Sequence, residues 1–266
     1  MVPYETAICT SRSGPRSPAL TVGPTQCNTV RMEEFTFRDL AEAQFWGVNL
    51  ERATFRDVDF TGVRMSSIRL VDVVIDAEID RLVINGVDVT AYVNTHDAWF
   101  SLRSETRPTT PEDLRRAWPK FVAEWERTVQ QASGLAPAHV DESVDGERSF
   151  TQTIRHLVFA TDKWFTVPVL GEEFHPIGLP NTGSSEFPWP GIEAGVTATF
   201  EESLAAWRGR VERLQRFVDD VELDALTAEV SVLENGPHAM HDCIGVVFEE
   251  HFEHVRYAQR DLARLT

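Results

Sequence analysis

The chain has 266 residues and carries 25 Lys+Arg against 42 Asp+Glu, a formal net charge of −17. That acidic excess argues against a general nucleic-acid backbone binder, which needs a basic face, and against docking on an anionic membrane. The length lies between one large domain and two ordinary ones, the 42% apolar fraction supplies a core, and no apolar run nears the roughly 18 residues that span a bilayer.

Residues 1–31 differ from the rest. Pro3, Pro15, Pro18 and Pro24 break any helix, and Ser, Thr and Gly fill the gaps. The segment is nearly free of acid, as targeting peptides are, but it has neither an apolar core region nor an unbroken amphipathic helix. It reads as a disordered tail, or as a start placed too early, with translation beginning at Met32. Two of the three cysteines, Cys9 and Cys27, lie here and the third is Cys243, so no disulfide framework is implied and a reducing, cytoplasmic setting fits.

From Phe35 onward every fifth residue is large and apolar: Phe35, Leu40, Phe45, Leu50, Phe55, Phe60, Met65, Leu70 and Ile75. From the third centre on, a second apolar residue sits two places earlier, and the residue just before each centre is mostly polar, as at Asp39, Asn49 and Asp59. Sixteen of the eighteen centre and partner positions are apolar, a chance on the order of 10⁻⁴ or less per register. Neither the helix period nor the strand period sustains a repeat of five. Residues 33–77 therefore resemble the pentapeptide-repeat family. The resemblance implies a right-handed, four-sided β-helix of a little over two coils, with centres and partners pointing inward and open ends that need covering. Beyond it, Asn85-Gly86 marks a hairpin turn between Leu82-Val83-Ile84 and Val87-Asp88-Val89.

From about Thr110 the period becomes helical. Thr110-Pro111-Glu112-Asp113 gives an N-cap, a first-turn proline and two acids at the positive helix end. Leu114, Trp118, Phe121, Trp125 and Val129 follow at helix spacing; Pro119 should kink this helix and Ser133-Gly134 should end it. A second helix is expected from Ser149 to about Thr166, with Pro168 beyond its end. A long Pro- and Gly-rich loop comes next. A third helix carries the stripe Phe200, Leu204, Trp207, Val211, Leu214 and Val218. A fourth, from about Pro237 to Leu265, places Met240, Ile244, Val247, His254, Ala258 and Leu262 on one stripe. Four such helices suggest a four-helix bundle.

The fourth helix holds the run Glu249-Glu250-His251-Phe252-Glu253-His254. A histidine on an apolar stripe needs a partner, and one turn earlier either Glu250 or His251 reaches the face of His254. Either pair suits zinc or a neighbouring divalent metal, and spacing alone does not choose between them. On the second helix His156 lies at the edge of the stripe Thr153, Leu157, Ala160 and Trp164. Read without a metal, His156 is a satisfied core residue and the Glu/His run a solvated face. Asp162 reads equally as an orienting group behind the ligands or as a surface acid. His238 and His241 read as solvated residues of the fourth helix's first turn, and Cys243 as core.

Two strings, Arg155-His156-Leu157-Val158-Phe159-Ala160-Thr161-Asp162-Lys163-Trp164 and Glu250-His251-Phe252-Glu253-His254-Val255-Arg256-Tyr257-Ala258, resemble the two metal-bearing helices of the DinB-like superfamily, over roughly residues 97–266. That superfamily includes bacterial thiol-dependent transferases and mycothiol-dependent maleylpyruvate isomerases. The resemblance implies three metal ligands, His156, Glu250 and His254; the commoner pattern has His at the place of Glu250, and the mycothiol-dependent branch has Glu. It implies a divalent metal, zinc or alternatively nickel, and a low-molecular-weight thiol used in transfer or isomerisation, with the 168–196 loop supplying part of the pocket.

The resulting expectation is an α+β chain: tail 1–31, a short right-handed pentapeptide-repeat β-helix with linker strand over 32–90, and an all-α DinB-like four-helix bundle over 91–266. Its partners would be a small-molecule thiol or electrophile, with no nucleic acid and no membrane, self-association being neither required nor excluded. The competing expectation is a non-catalytic pentapeptide-repeat interaction protein that binds a protein partner. Arg38, Arg52, Arg56, Arg64 and Arg69 within the repeat weigh against a DNA-like surface.

Overall fold

The structure, a computed structural model, describes residues 34–36, 38–56, 58–181, 189–193 and 195–265. The reading of residues 1–31, including Cys9 and Cys27, lies outside the described residues. The chain divides into two compact units, one ending at Val71 and one running from Asp72.

In the first unit the five-residue period is visible in the backbone. Left-handed φ values recur at Glu42, Gly47, Arg52, Gly62 and Ser67; residue 57, between Arg52 and Gly62, lies outside the described residues. Turn hydrogen bonds close the corners, with Ala43, Ala53 and Val63 N–H each donating to the carbonyl three residues back at 3.0 Å. The polar residue before every second centre has a job there. The carboxylates of Asp39 and Asp59 and the amide oxygen of Asn49 accept from the N–H two residues on, at 2.9, 2.7 and 3.0 Å, an Asx-turn at each such corner. The apolar centres from Phe35 to Leu70 nevertheless stay between 46% and 65% exposed. The inward burial that the resemblance implies is absent among the described residues, because a coil interior is covered only by coils above and below it, and so short a strip has few of either.

The second unit starts with a hairpin, β1 (Val83–Ile84) against β2 (Val87–Asp88). Asn85 at φ 52° and Gly86 at φ 82° both adopt the left-handed geometry that a two-residue turn requires. Two short helices the sequence did not announce follow, α1 (Thr90–His96) and α2 (Phe100–Arg103). Arg103 hydrogen-bonds Asp97 at 2.8 Å and Asp76 at 2.9 Å, and its guanidinium lies 5.0 Å from the centre of the Phe252 ring.

The bundle then begins. Helix α3 (Pro111–Ser133) opens on a reciprocal capping box between Thr110 and Asp113, runs on through Pro119, and ends at Gly134. Helix α4 (Phe150–Thr161) opens on a second box, Ser149 with Gln152. It passes into a π-helical turn, Asp162–Thr166, and then α5 (Val167–Leu170), which Gly171 ends at φ 67°. The expected stop at Thr166 is thus replaced by a helix that continues past Pro168. The wide turn precedes the proline, which has no N–H to give an α-helical partner.

Helix α6 (Phe200–Asp220) has a third capping box, Thr199 with Glu202. After α7 (Leu223–Leu226), strands β3 (Glu229–Val232) and β4 (Gly236–Ala239) pair antiparallel, Glu229 opposite Ala239. The last helix, α8 (Met240–Leu262), therefore starts three residues later than Pro237, because Gly236–Ala239 belongs to the hairpin.

Helices α3 and α4 each pack on both α6 and α8, the closed ring of a four-helix bundle. Its interior is filled by Trp118, Trp125, Trp207, Phe121 and Phe248, all at most 1% exposed. Each such side chain contributes on the order of 1.5–3 kcal/mol of burial.

Candidate metal centre

The Ser149 cap fixes where α4 starts, and two turns in it delivers His156 to the face shared with α8. His156 is 1% exposed, so it lies inside the bundle and not at the stripe's edge. Helix α8 presents Glu250 and His254 one turn apart. Their side chains keep 25% and 16% exposure, so the group opens to solvent on this side. One ligand atom from each of His156, Glu250 and His254 can be chosen such that all lie within 4.8 Å of one another. The two imidazole centres are 4.8 Å apart.

The hydrogen bonds decide which nitrogens carry protons. His156 Nδ1 is 2.9 Å from the Leu179 carbonyl, and His254 Nδ1 is 2.8 Å from the Glu250 carbonyl. A carbonyl only accepts, so both Nδ1 atoms carry protons, and it is Nε2 that a neutral ring would offer to a cation. His156 Nε2 sits 3.3 Å from Glu250 Oε2, and His254 Nδ1 lies 3.3 Å from the same oxygen, so one nitrogen of each ring flanks the carboxylate. Ligands held at 2.0–2.1 Å by a tetrahedral ion are themselves about 3.3 Å apart. The His156–Glu250 edge already has that length, and ligand atoms that lie within 4.8 Å of one another come to that spacing with shifts of on the order of an ångström.

Electrostatics favour the ligating protonation states. Burial alone would raise the Glu250 pKa, but the hydrogen bond with His156 and the adjacent imidazoles outweigh it and hold the carboxyl below its usual value. Burial, reinforced by His156, pushes His254 down to about 4. An ionised carboxylate and a neutral imidazole are what a metal requires.

His251, the other partner considered for His254, is settled by its surroundings. Its Nδ1 donates to the Val247 carbonyl at 2.8 Å and its Nε2 accepts from Trp207 Nε1 at 3.4 Å. Trp118 and Trp125 stand edge-on to its ring at 5.3 and 6.2 Å. Burial pushes it down to about 4, and it is a neutral core residue with both nitrogens used. His251, not His254, occupies the middle of the α8 stripe.

Asp162 is not a surface acid, and its hydrogen bonds among the described residues go to Arg210 and the His175 N–H rather than to a ligand. It is fully buried, gripped by Arg210 at 2.6 and 3.0 Å, and it accepts the His175 N–H at 2.7 Å. His238 stands on β4, edge-on to Trp164 at 5.6 Å, and His241 Nδ1 pairs with the Leu226 carbonyl at 3.0 Å, so both are half-buried rather than solvated. Cys243 is buried as expected, its thiol pushed up to about 11 by burial and then by Asp242.

The 168–196 loop reaches the site through the Leu179 carbonyl, although residues 182–188 and 194 lie outside the described residues. One participant, the Leu179 carbonyl, escaped sequence reasoning, because a backbone carbonyl leaves no residue-type signal.

A family model described as the DinB superfamily matches residues 89–258, and a second, pentapeptide repeats in 8 copies, matches residues 38–74. No curated protein and no solved structure matches the chain. Among the described residues no helix is long and apolar enough to cross a membrane.

Proposed function

The chain belongs to the DinB superfamily, in which a bound metal is common, and from that premise we propose that His156, Glu250 and His254 hold one divalent cation, zinc before nickel, in a thiol-dependent transferase or isomerase. The observation that carries the proposal is the meeting of three ligand atoms from two distant segments, with both imidazole Nδ1 atoms spent on carbonyls. Such an ion lowers the pKa of a bound water or thiol toward neutrality. The chain's own residues set what the ion sees. Two neutral imidazoles and one carboxylate leave a net charge of +1 on a divalent site, which favours an anionic thiol as the further partner. The side opened by Glu250 and His254 gives a small thiol and an electrophile a way in.

The repeat is part of this reading as a right-handed β-helix, supported by left-handed corners spaced five residues apart. The cytoplasm is its proposed location, on the lack of a cysteine framework in the sequence. The test is metal-dependent consumption of a small thiol with a panel of electrophiles. Activity restored to the stripped protein by zinc or nickel, and absent in His254→Ala, supports the proposal; equal turnover with and without metal rejects it. A second reading, a protein-binding module, draws on the half-exposed apolar centres of the repeat. Capture of a defined partner by the chain, lost when Phe45 and Phe55 become Ser, would favour it.

A further inference from the structure

Arg155 precedes His156, so its side chain leaves α4 about 100° around the helix from the imidazole. Among the described residues no carboxylate pairs with it. Instead its Nε donates to the Ile177 carbonyl at 2.8 Å and its Nη2 to the Val196 carbonyl at 3.0 Å. Those carbonyls lie on opposite arms of the loop between α5 and α6. The arms meet again where Glu193 N–H donates to the Pro176 carbonyl at 3.1 Å. Keeping a partly buried cation on two neutral carbonyls is costly, so the feature it maintains should be worth that cost.

That feature is at hand two residues past Ile177. Leu179 is held twice: its N–H donates to the Arg155 carbonyl at 3.1 Å and its carbonyl accepts from His156 Nδ1 at 2.9 Å. Upstream, His175 N–H is fixed on the buried Asp162 carboxylate at 2.7 Å, itself gripped by Arg210. Residues 175–179 are thus tied at one end by Asp162 and at the other by Arg155, and the His156 ring takes its orientation from the last carbonyl.

The geometry points to Arg155 as a positioning residue for the cation site: by holding the Ile177 and Val196 carbonyls together it keeps the Leu179 carbonyl on His156 Nδ1 and turns Nε2 toward Glu250. This rests on His156 being a ligand as proposed above, yet its first consequence, the tautomer of His156, needs no metal. The hydrogen bond made by one imidazole nitrogen sets the state of the other. With the carbonyl in place the proton stays on Nδ1; with the carbonyl withdrawn it is free to move to Nε2 and block the ligand position.

The experiment uses the full chain and two variants. Arg155→Met keeps the aliphatic stem and removes both donors; Arg155→Lys keeps the charge but places one point donor where two were aimed. Nitrogen-15 histidine spectra of the metal-free proteins, with His156→Ala for assignment, report the tautomer. Competition with a chromophoric chelator reports zinc affinity. Wild type is expected to show Nδ1–H. Arg155→Met is expected to populate Nε2–H, to exchange the Leu179 amide faster and to lose about 10–100-fold in zinc affinity, with Arg155→Lys in between. A purely structural role would lower thermal stability and leave the tautomer alone. Arg155→Met with the wild-type tautomer and zinc affinity within about twofold of wild type would overturn the inference, and Arg155→Lys decides on the same two readouts if the Met variant does not fold. If wild type binds no zinc, the metal proposal fails, while the tautomer still decides on Arg155.

Discussion

Replacing Asp162 by Ala should be among the most damaging changes in the bundle away from the metal centre. Asp162 is 0% exposed and its partner Arg210 6%. Deleting the carboxylate leaves a guanidinium buried without its counter-charge, at a cost of about 3–5 kcal/mol. It also strips the His175 N–H of its acceptor, a loss of about 1–3 kcal/mol that overlaps with the first. Against a typical total stability of about 5–15 kcal/mol this is a large fraction. In a unit of this size about 3–5 kcal/mol lowers the melting temperature by roughly 6–20 °C. Urea unfolding followed through the buried tryptophans Trp118, Trp125 and Trp207 measures it. The double variant Asp162→Leu with Arg210→Met removes both charges and should recover most of the loss, falling short by the unmade His175 bond. If Asp162→Ala unfolds within about 1 kcal/mol of wild type, the pair is not buried as described and this account of how the loop is anchored is wrong.

The Ser149 capping box starts the helix that carries His156, and Ser149→Ala should cost about 1 kcal/mol, read as a lower urea midpoint at unchanged slope. Cys243, with its thiol pushed up to about 11, should resist iodoacetamide at pH 8 in the native chain and react only in denaturant, as followed by peptide mass mapping. Glu105 supplies a pH test. Burial raises its pKa, but hydrogen bonds from Arg116 and Lys120 outweigh burial and hold it below its ordinary value of 4.5. Its folded-state pKa is therefore lower than its unfolded one. Its contribution is complete above about pH 4.5 and is lost as pH falls through the folded value. Glu105→Gln should flatten the stability profile in that acid window, and an unchanged profile would count against the pairing.

Much of the bundle was legible because its signals are local. Thr110, Ser149 and Gly134 mark helix ends through backbone groups that must be capped, and the spacing of Trp118, Phe121 and Trp125 marks the buried face of α3. The Asn85-Gly86 turn was readable because few residue pairs take left-handed φ twice in succession. What escaped was non-local. Glu229–Val232 finds its strand partner only in Gly236–Ala239, so residues that look like a helix start became a hairpin. The α8 stripe was read a fraction of a turn off, which put His254 in the core and left His251 outside. Which of the two imidazoles is enclosed depends on Trp118, Trp125 and Trp207 from two other helices, and no window along α8 contains them. The ligand set itself came from the resemblance of two short strings, and the structure supplies their convergence.

The shared cation is tested most directly by metal content. Elemental analysis and chelator competition on the purified full chain, His156→Ala, Glu250→Ala, His254→Ala and the control His241→Ala would compare the three candidate ligands with a half-buried histidine outside the site. The expected result is one equivalent of zinc or nickel in wild type and in His241→Ala, with affinity reduced at least about 100-fold in each ligand variant while helical content is kept. Metal retained at wild-type affinity in His156→Ala and His254→Ala, or no divalent ion bound by wild type after zinc loading, would contradict it.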